Sequence, residues 1–238
     1  MIRLDGRVTI ITGATGALGT VVTEAFLQAG AQVIATYHTD SARSRLEGLV
    51  DQGDFSLMPS KVDVTKEHEV EQVFQSAFER FGRIDALINL VGGYIGDIPI
   101  AQLEERTWDH MMNLNLRSCF LCCKAALRHM LDQGAGTIIN TASRGAVHPY
   151  PGVAAYIVSK AGVIALTQAM AEEVRGKNIN VNVILPGTID TPANRQAMPA
   201  ANFRKWVDPR AIADLILFLA SDEARYIHGA SIPIYGQP

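Results

Sequence analysis

The chain has only three cysteines, grouped at Cys119, Cys122 and Cys123. Cys119 and Cys122 form a CxxC, a spacing found in redox and zinc sites. No second cysteine pair and no histidine pair at ligand spacing accompanies it, so no metal is expected. All three fall in one predicted helix, where buried thiols are the simpler reading. A reducing, cytoplasmic setting is the matching expectation. Basic residues are not in excess either. The net charge is −3 over 238 residues, without a Lys/Arg-rich tail, which leaves no electrostatic case for nucleic acid. No stretch of about 18 uninterrupted apolar residues occurs, so no membrane span is expected. The opening MIRLDGRV lacks the apolar core of a signal peptide. Linkers of Ser/Gly/Pro character, low-complexity runs and internal repeats beyond strand-helix units are missing too. One domain over residues 1–238 is therefore the economical expectation.

What the chain does have is a glycine-rich turn near its start, RVTIITGATGALG at Arg7–Gly19. Val8, Thr9, Ile10 and Ile11 form a β-branched run that reads as a buried strand. Gly13, Gly16 and Gly19 follow, and then Val21, Val22, Ala25, Phe26 and Leu27 recur at helical spacing. A strand thus meets a helix through a turn almost free of side chains. Such a turn lets a diphosphate approach the backbone at the positive end of a helix. The alternative is a tight strand-helix turn without a ligand, because a glycine triplet alone is weakly specific.

Strand and helix signals then alternate to the end. Strands are predicted at 31–36, 55–62, 84–89, 136–141, 179–185 and 230–234. Helices are predicted at 45–52, 66–81, 107–132, 154–174 and 211–220. Residues 190–208 lack clear periodicity and read as a loop or lid. This alternation implies an α/β, Rossmann-type, doubly wound and mostly parallel seven-stranded sheet with helices on both faces. Ligands bind such sheets beyond the carboxyl ends of the strands, at the switch point. The glycine loop, Asp63, the Asn89 loop, Ser143 and Pro186-Gly187 all fall at those ends.

Tyr156 and Lys160 are four residues apart in a predicted helix and share a face. A phenol exchanges protons poorly near neutrality because its pKa is about 10. A nearby ammonium is expected to lower that value, so the pair could exchange a proton with a carbonyl or alcohol oxygen. Ser143 could hydrogen-bond the same oxygen, and Asn115 could place a water connecting Lys160 to solvent. The glycine loop offers a place for the hydride carrier that this chemistry requires.

With these residues in place, the chain resembles a short-chain dehydrogenase/reductase. The matching segments are TGATGALG at Thr12–Gly19, VDV at Val62–Val64 and INLVGG at Ile88–Gly93. They continue with NLN at Asn113–Asn115, Ser143, YIVSK at Tyr156–Lys160 and LPGTIDT at Leu185–Thr191. The tail SDEARYIHGASIPIYG resembles the family's last helix-to-strand turn, so the likeness covers essentially the whole chain. It implies a catalytic tetrad: Tyr156 as acid/base, Lys160 modulating it and binding the nicotinamide ribose, Ser143 positioning substrate, and Asn115 in a proton relay. It further implies diphosphate contacts from Gly13, Thr15, Gly16, Ala17, Leu18 and Gly19, adenine contacts from Asp63 and Val64, and nucleotide contacts around Asn89, Val91 and Gly92. Nicotinamide contacts would come from Pro186, Gly187, Ile189 and Thr191. The glycines depart from the short form of the family: Ala17 replaces the usual middle glycine, and Gly16 comes one residue early.

A carboxylate usually selects NAD at the end of the second strand. Here Tyr37 and His38 stand in that place. A 2′-phosphate would not be repelled, and His38, Arg43 or Arg45 could approach it, although Asp40 opposes a strongly positive pocket. This favours NADP over NAD. Arg43 and Arg45 can equally be solvated helix charges. Tyr94, Arg144, His148, Tyr150, Met198 and Trp206 are candidate substrate contacts, with Arg195 and Phe203 nearby, and suit a flat or apolar carbonyl compound. A local likeness of VGGY and of residues 190–206 to dihydropteridine reductases gives a pterin as the alternative substrate. A non-catalytic NAD(P)-binding sensor or scaffold is the alternative of another class. In the family the two long apolar helices form a four-helix interface, so a homo-oligomer, tetramer or dimer, is expected.

Overall fold

The computed structural model describes residues 2–49 and 56–237. Its strands are β1 (Val8–Thr12), β2 (Gln32–Tyr37), β3 (Leu57–Lys61), β4 (Ala86–Asn89), β5 (Gly136–Thr141), β6 (Ile179–Pro186) and β7 (Ser231–Ile234). They form one sheet in the order β3-β2-β1-β4-β5-β6-β7. Every neighbouring pair is parallel, so the expected mostly parallel sheet is fully parallel. β1 is buried along its whole length, which explains why it reads as a continuous apolar run rather than an alternating one. β1 pairs with β2 on one side and β4 on the other, which creates the switch point.

The helices are α1 (Ala17–Gln28), α2 (Asp40–Glu47), α3 (Glu67–Phe81), α4 (Glu105–Met111), α5 (Ser118–Gln133), α6 (Ala154–Glu173), α7 (Pro192–Ala197) and α8 (Pro209–Ala220). Two apolar cores result, one on each face of the sheet. Val8 and Ile10 of β1 join Phe74 of α3, Leu121 of α5 and Val163 of α6 on one face. Ile11 joins Val22 and Phe26 of α1, Leu46 of α2 and Ile216 of α8 on the other. α6 has the length and mean hydropathy, 1.3, that a membrane span would need. It flanks the sheet instead, with Ser159, Lys160 and Thr167 buried.

The element boundaries differ from expectation where local chemistry overrides periodicity. α2 starts at Asp40, five residues before the expected helix, after Thr39 adopts an extended N-cap conformation with Asp40 in the first turn. Residues 50–52 of that expected helix, and Phe55 of the expected third strand, lie outside the described residues. The expected helix at 107–132 is a composite in which a π-helical segment, Met112–Arg117, joins α4 to α5. The segment read as a loop at 190–208 contains α7. Thr191 Oγ1 caps it by accepting from Asn194 N, and Pro192 opens it. None of its six residues is buried, so it carries no apolar stripe for periodicity to detect.

Candidate active site

The glycine turn is folded tightly onto the start of α1. Gly13 has φ +67, in the left-handed region. Its N–H donates to Thr36 Oγ1 (3.2 Å), and Gly16 N donates back to Gly13 O (3.0 Å). A Cβ on Gly19 would overlap Gly13 O and lie 2.8 Å from the Ala14 carbonyl carbon. Gly16 and Ala17 are exposed at the mouth of the turn. Ala17 therefore fits without contact strain, and the early Gly16 costs nothing in packing. Gly16 is the N-cap of α1 and offers no side-chain hydrogen bond to the first-turn N–H groups. Uncapped N–H groups at a helix start fit a diphosphate.

Tyr37, at the end of β2, is buried, and His38 beside it is exposed. Arg45 is not a free helix charge: its Nη1 donates to Thr15 O at 2.9 Å, placing the guanidinium on the glycine turn. Arg43 lies on Glu47 instead, at 3.8 Å. Asp40 is paired with Lys61 at 2.6 Å and so is partly neutralised. Asp63 Oδ1 accepts from Thr65 N (3.0 Å) and Oγ1 (2.6 Å), and these bonds hold its carboxyl below the usual carboxylate range. Val64 is buried next to it. His38, Lys61, Asp63 and Lys66 line an open groove of about 600 Å³ along the end of β3.

Asn89, around which nucleotide contacts are expected, has its side chain engaged by buried neighbours. Asn89 Nδ2 donates to Asn140 Oδ1 (2.9 Å), and Asn140 Nδ2 donates to Thr167 Oγ1 (2.9 Å). Thr12 Oγ1 donates to Asn89 Oδ1 (3.3 Å). This buried polar ladder ties β1, β4, β5 and α6 together at the strand ends. Cys119 and Cys123 complete it: Asn89 Nδ2 reaches Cys123 Sγ at 3.3 Å. All three cysteines are buried as free thiols, and burial pushes the Cys122 and Cys123 thiols up, away from reactivity.

Asn115, in the π-helical segment, clamps the loop after β4 to α6. Its Oδ1 accepts from Gly93 N (2.8 Å), while its Nδ2 donates to Gly93 O (3.1 Å) and to Ser159 Oγ (2.9 Å). Ser159 Oγ donates in turn to Tyr156 O (2.7 Å). Lys160 Nζ donates to Thr141 O (2.8 Å). A Cβ on Gly92 would sit 2.9 Å from Asn115 Oδ1 and 3.0 Å from Lys160 Nζ, so glycine is needed for this approach. Burial pushes Lys160 down to about 8, with Cys119 acting in the opposite sense.

Tyr156 departs from expectation. Its pKa is raised, because burial outweighs the lowering influence of the Ser143 hydroxyl, and Tyr150 adds to the rise. Lys160 is engaged at Thr141 O and is not among the groups that shift the phenol. Sequence reasoning paired the two residues by spacing and left burial out. Ser143 Oγ accepts from Gly145 N (3.1 Å) and caps the short turn Arg144–Ala146.

The candidate substrate residues form two clusters. Tyr94 packs edge-on against Tyr156, ring centroids 5.1 Å apart. Burial pushes its phenol up to about 12, with Tyr150 the next contributor. Arg144 and His148 both meet the ring of Tyr235, at 5.2 and 5.8 Å. Trp206, Phe203 and Arg195 form the second cluster, on and after α7, while Met198 is exposed just after α7. Phe203 lies tilted against Trp206 with ring centroids 4.7 Å apart, while Arg195 lies over Phe203 and pairs with Asp190. Pro186 ends β6. Gly187 N donates to Ile234 O (2.9 Å), and a Cβ on Gly187 would meet the Tyr235 backbone. Ile189 O accepts from Asn194 Nδ2 (2.8 Å), next to the Thr191 cap.

Ser159, Thr141, Tyr235 and the Asn140–Thr167 ladder were missed from sequence. Only Ser159 carried a usable signal, since it lies between Tyr156 and Lys160, one helical turn after the tyrosine. The others act through tertiary neighbours.

Comparison with known proteins is consistent with this geometry. Residues 13–236 match the family model described as Enoyl-(Acyl carrier protein) reductase. The chain is 36% identical over 247 residues to 3-oxoacyl-[acyl-carrier-protein] reductase FabG of Thermotoga maritima, covering 98% of each. It is 34% identical to Dehydrogenase/reductase SDR family member 6 of Rattus norvegicus, again over 98% of both. Among solved structures, ElxO with NADP bound superposes with a TM-score of 0.90 at 26% identity, covering 97% of this chain and 98% of that one. These relatives lend no support to the pteridine likeness.

Proposed function

That the chain belongs to the short-chain dehydrogenase/reductase family, as an NAD(P)-dependent oxidoreductase, is the premise on which we propose that it interconverts a ketone and a secondary alcohol through Tyr156. The observation that carries this reading is the grouping of Tyr156 with Ser143 and Lys160 beyond the ends of β5 and β6, beside the clamp made by Asn115. When bound, the nicotinamide supplies or accepts the hydride. Tyr156 Oη gives its proton to the carbonyl oxygen on reduction and takes it back on oxidation. The phenol is protonated at neutrality, as donation requires, although burial raises its pKa. Ser143 orients the same oxygen. Lys160, pushed down to about 8 by burial, lies one helical turn along the same face of α6. Asn115 and Ser159 hold that face in place.

The cofactor preference we propose is NADP. No carboxylate follows β2, Asp40 is occupied by Lys61, and Arg45 is anchored on the glycine turn. The related structure of ElxO with NADP bound supports the same choice. One experiment tests activity and cofactor together: NADPH and NADH are titrated into the wild type and Arg45→Ala with ketones, 3-oxoacyl thioesters and enoyl thioesters. Ketone-dependent oxidation of NADPH, favoured over NADH by about tenfold or more, is the expected result. Arg45→Ala should remove most of that preference, as loss of one charge-assisted phosphate contact implies. Equal use of both cofactors, or turnover of enoyl substrates alone, contradicts the reading.

Self-association is part of the same proposal. Phe120 and Leu131 on α5 and Val158 on α6 are exposed large apolar residues on the two long helices. Sedimentation at micromolar concentration should give a species of at least twice the 25.8 kDa chain mass. A monomer there refutes it.

A further inference from the structure

We infer that the carbonyl substrate carries an anionic group, which Arg144 binds on the β7 side of the cleft. The inference rests on the ketone-reductase reading and names the substrate class of that site.

Arg144 follows Ser143 directly, so its Cα is about 3.8 Å from that of the residue assigned to the reacting oxygen. Its guanidinium lies over the Tyr235 ring, 5.2 Å from the centroid. Tyr235 is itself fixed, because its backbone fills the space a Cβ would need at Gly187 and the preceding Ile234 O accepts from Gly187 N. The side chain thus spans from the end of β5 to the end of β7, across Pro186-Gly187. Among the described residues, Arg144 forms no ion pair and donates no side-chain hydrogen bond, and it is exposed. A guanidinium has five N–H donors in a planar fork that matches carboxylate and phosphate. Arg195, in the neighbouring cluster, shows the contrast: it lies over Phe203 in the same manner, but two of its donors are engaged by Asp190, at 2.6 and 2.7 Å.

The surroundings of Tyr156 have a different character. Tyr94 stands edge-on to Tyr156, Asp97 acts on Tyr94, and Tyr150 lies against Gly145. Aromatic rings and a carboxylate lie there, and the unspent cation lies toward β7, over Tyr235. A ketone bound at Tyr156 and Ser143 would therefore place its apolar portion on Tyr94 and Tyr150 and its anion on Arg144. The anion takes no part in the step: hydride goes to the carbonyl carbon, the Tyr156 proton goes to the oxygen, and the charge is unchanged.

The test compares matched substrates by kcat/KM with NADPH. The pairs are levulinate and its methyl ester, phenylglyoxylate and its methyl ester, and acetoacetyl-CoA and acetoacetyl-N-acetylcysteamine, which lacks phosphates. In the wild type at least one charged member should exceed its neutral partner by about tenfold or more. In Arg144→Gln that ratio should fall to within about twofold of one, and Arg144→Lys should recover part of it. The change should fall mainly on KM. The pair that responds identifies the anion as a short-range carboxylate or a carrier-type phosphate. NADPH titration of each variant checks that the protein is folded. Turnover of ketones without charge preference, or a preference that survives in Arg144→Gln, overturns this inference and leaves the ketone reading standing. Absence of turnover on any ketone by a protein that binds NADPH overturns the ketone reading, and this inference with it.

Discussion

Tyr156→Phe should lower ketone turnover by at least about a thousandfold while the protein still folds and binds NADPH. The substitution removes one oxygen and keeps the ring. The edge-on contact with Tyr94 at 5.1 Å depends on the ring, so packing around the position is preserved. What is lost is the proton donor. A phenol is protonated at neutral pH, and burial raises rather than lowers the Tyr156 pKa, so it holds the proton that the forming alkoxide requires. No other hydroxyl can take over easily. Ser143 lacks a proton of comparable acidity, and the Tyr94 phenol is pushed up to about 12. Single-turnover measurements with NADPH and a reactive ketone read the chemical step directly. Activity above a tenth of wild type would show that the proton comes from elsewhere, and a sensor role would be indicated if the wild type itself turned over no carbonyl compound.

Gly19→Ala should have the second large effect, on the fold and the cofactor together. The added methyl would overlap Gly13 O and crowd Ala14, with its carbonyl carbon at 2.8 Å and its Cα at 2.9 Å. All of these are backbone atoms, so no side chain can swing aside. Either α1 moves away from the turn or the turn opens, and each disrupts the N–H groups that suit a diphosphate. A destabilisation of about 3 kcal/mol, roughly 6–12 °C in Tm for a domain of this size, is expected. NADPH affinity should fall by about a hundredfold or more. Gly16→Ala is the internal comparison. Its Cβ would meet only Gly13 O, at 3.3 Å, and the position is exposed. Equal melting temperatures and NADPH affinities for wild type and Gly19→Ala would mean that the turn is looser than its geometry implies.

Much of this architecture was legible in the sequence because parallel strands covered on both faces give continuous apolar runs. The run at Val8–Ile11 could hardly be anything else. The residues at the strand ends could be named because motif spacing fixes chain position. Their interactions could not. Tyr156 and Lys160 share a helical face as expected, yet burial determines the phenol's pKa, and burial is a property of the assembled fold. Arg45 could be read equally as a solvated charge or a phosphate contact until its bond to Thr15 O placed it on the turn. α7 falls in the segment expected as a loop because its residues, five exposed and Asn194 half-buried, leave no apolar period, although Thr191 and Pro192 form a legible start.

The glycine turn also depends on residues far away in sequence. α1 packs against α8, and Val22 and Phe26 share their core with Ile212, Ile216 and Leu219. Arg7, just before β1, donates to Ala220 O (3.1 Å) and pairs with Asp222. The apolar face of α1, which β1 and β2 cover in part, is therefore fully covered only when α8 docks. Contacts of such long sequence separation close late and at an entropic cost. The glycine turn is thus completed by α8, so its capacity to hold a diphosphate should report on the folding of the segments from β1 through α8 rather than on β1 and α1 alone.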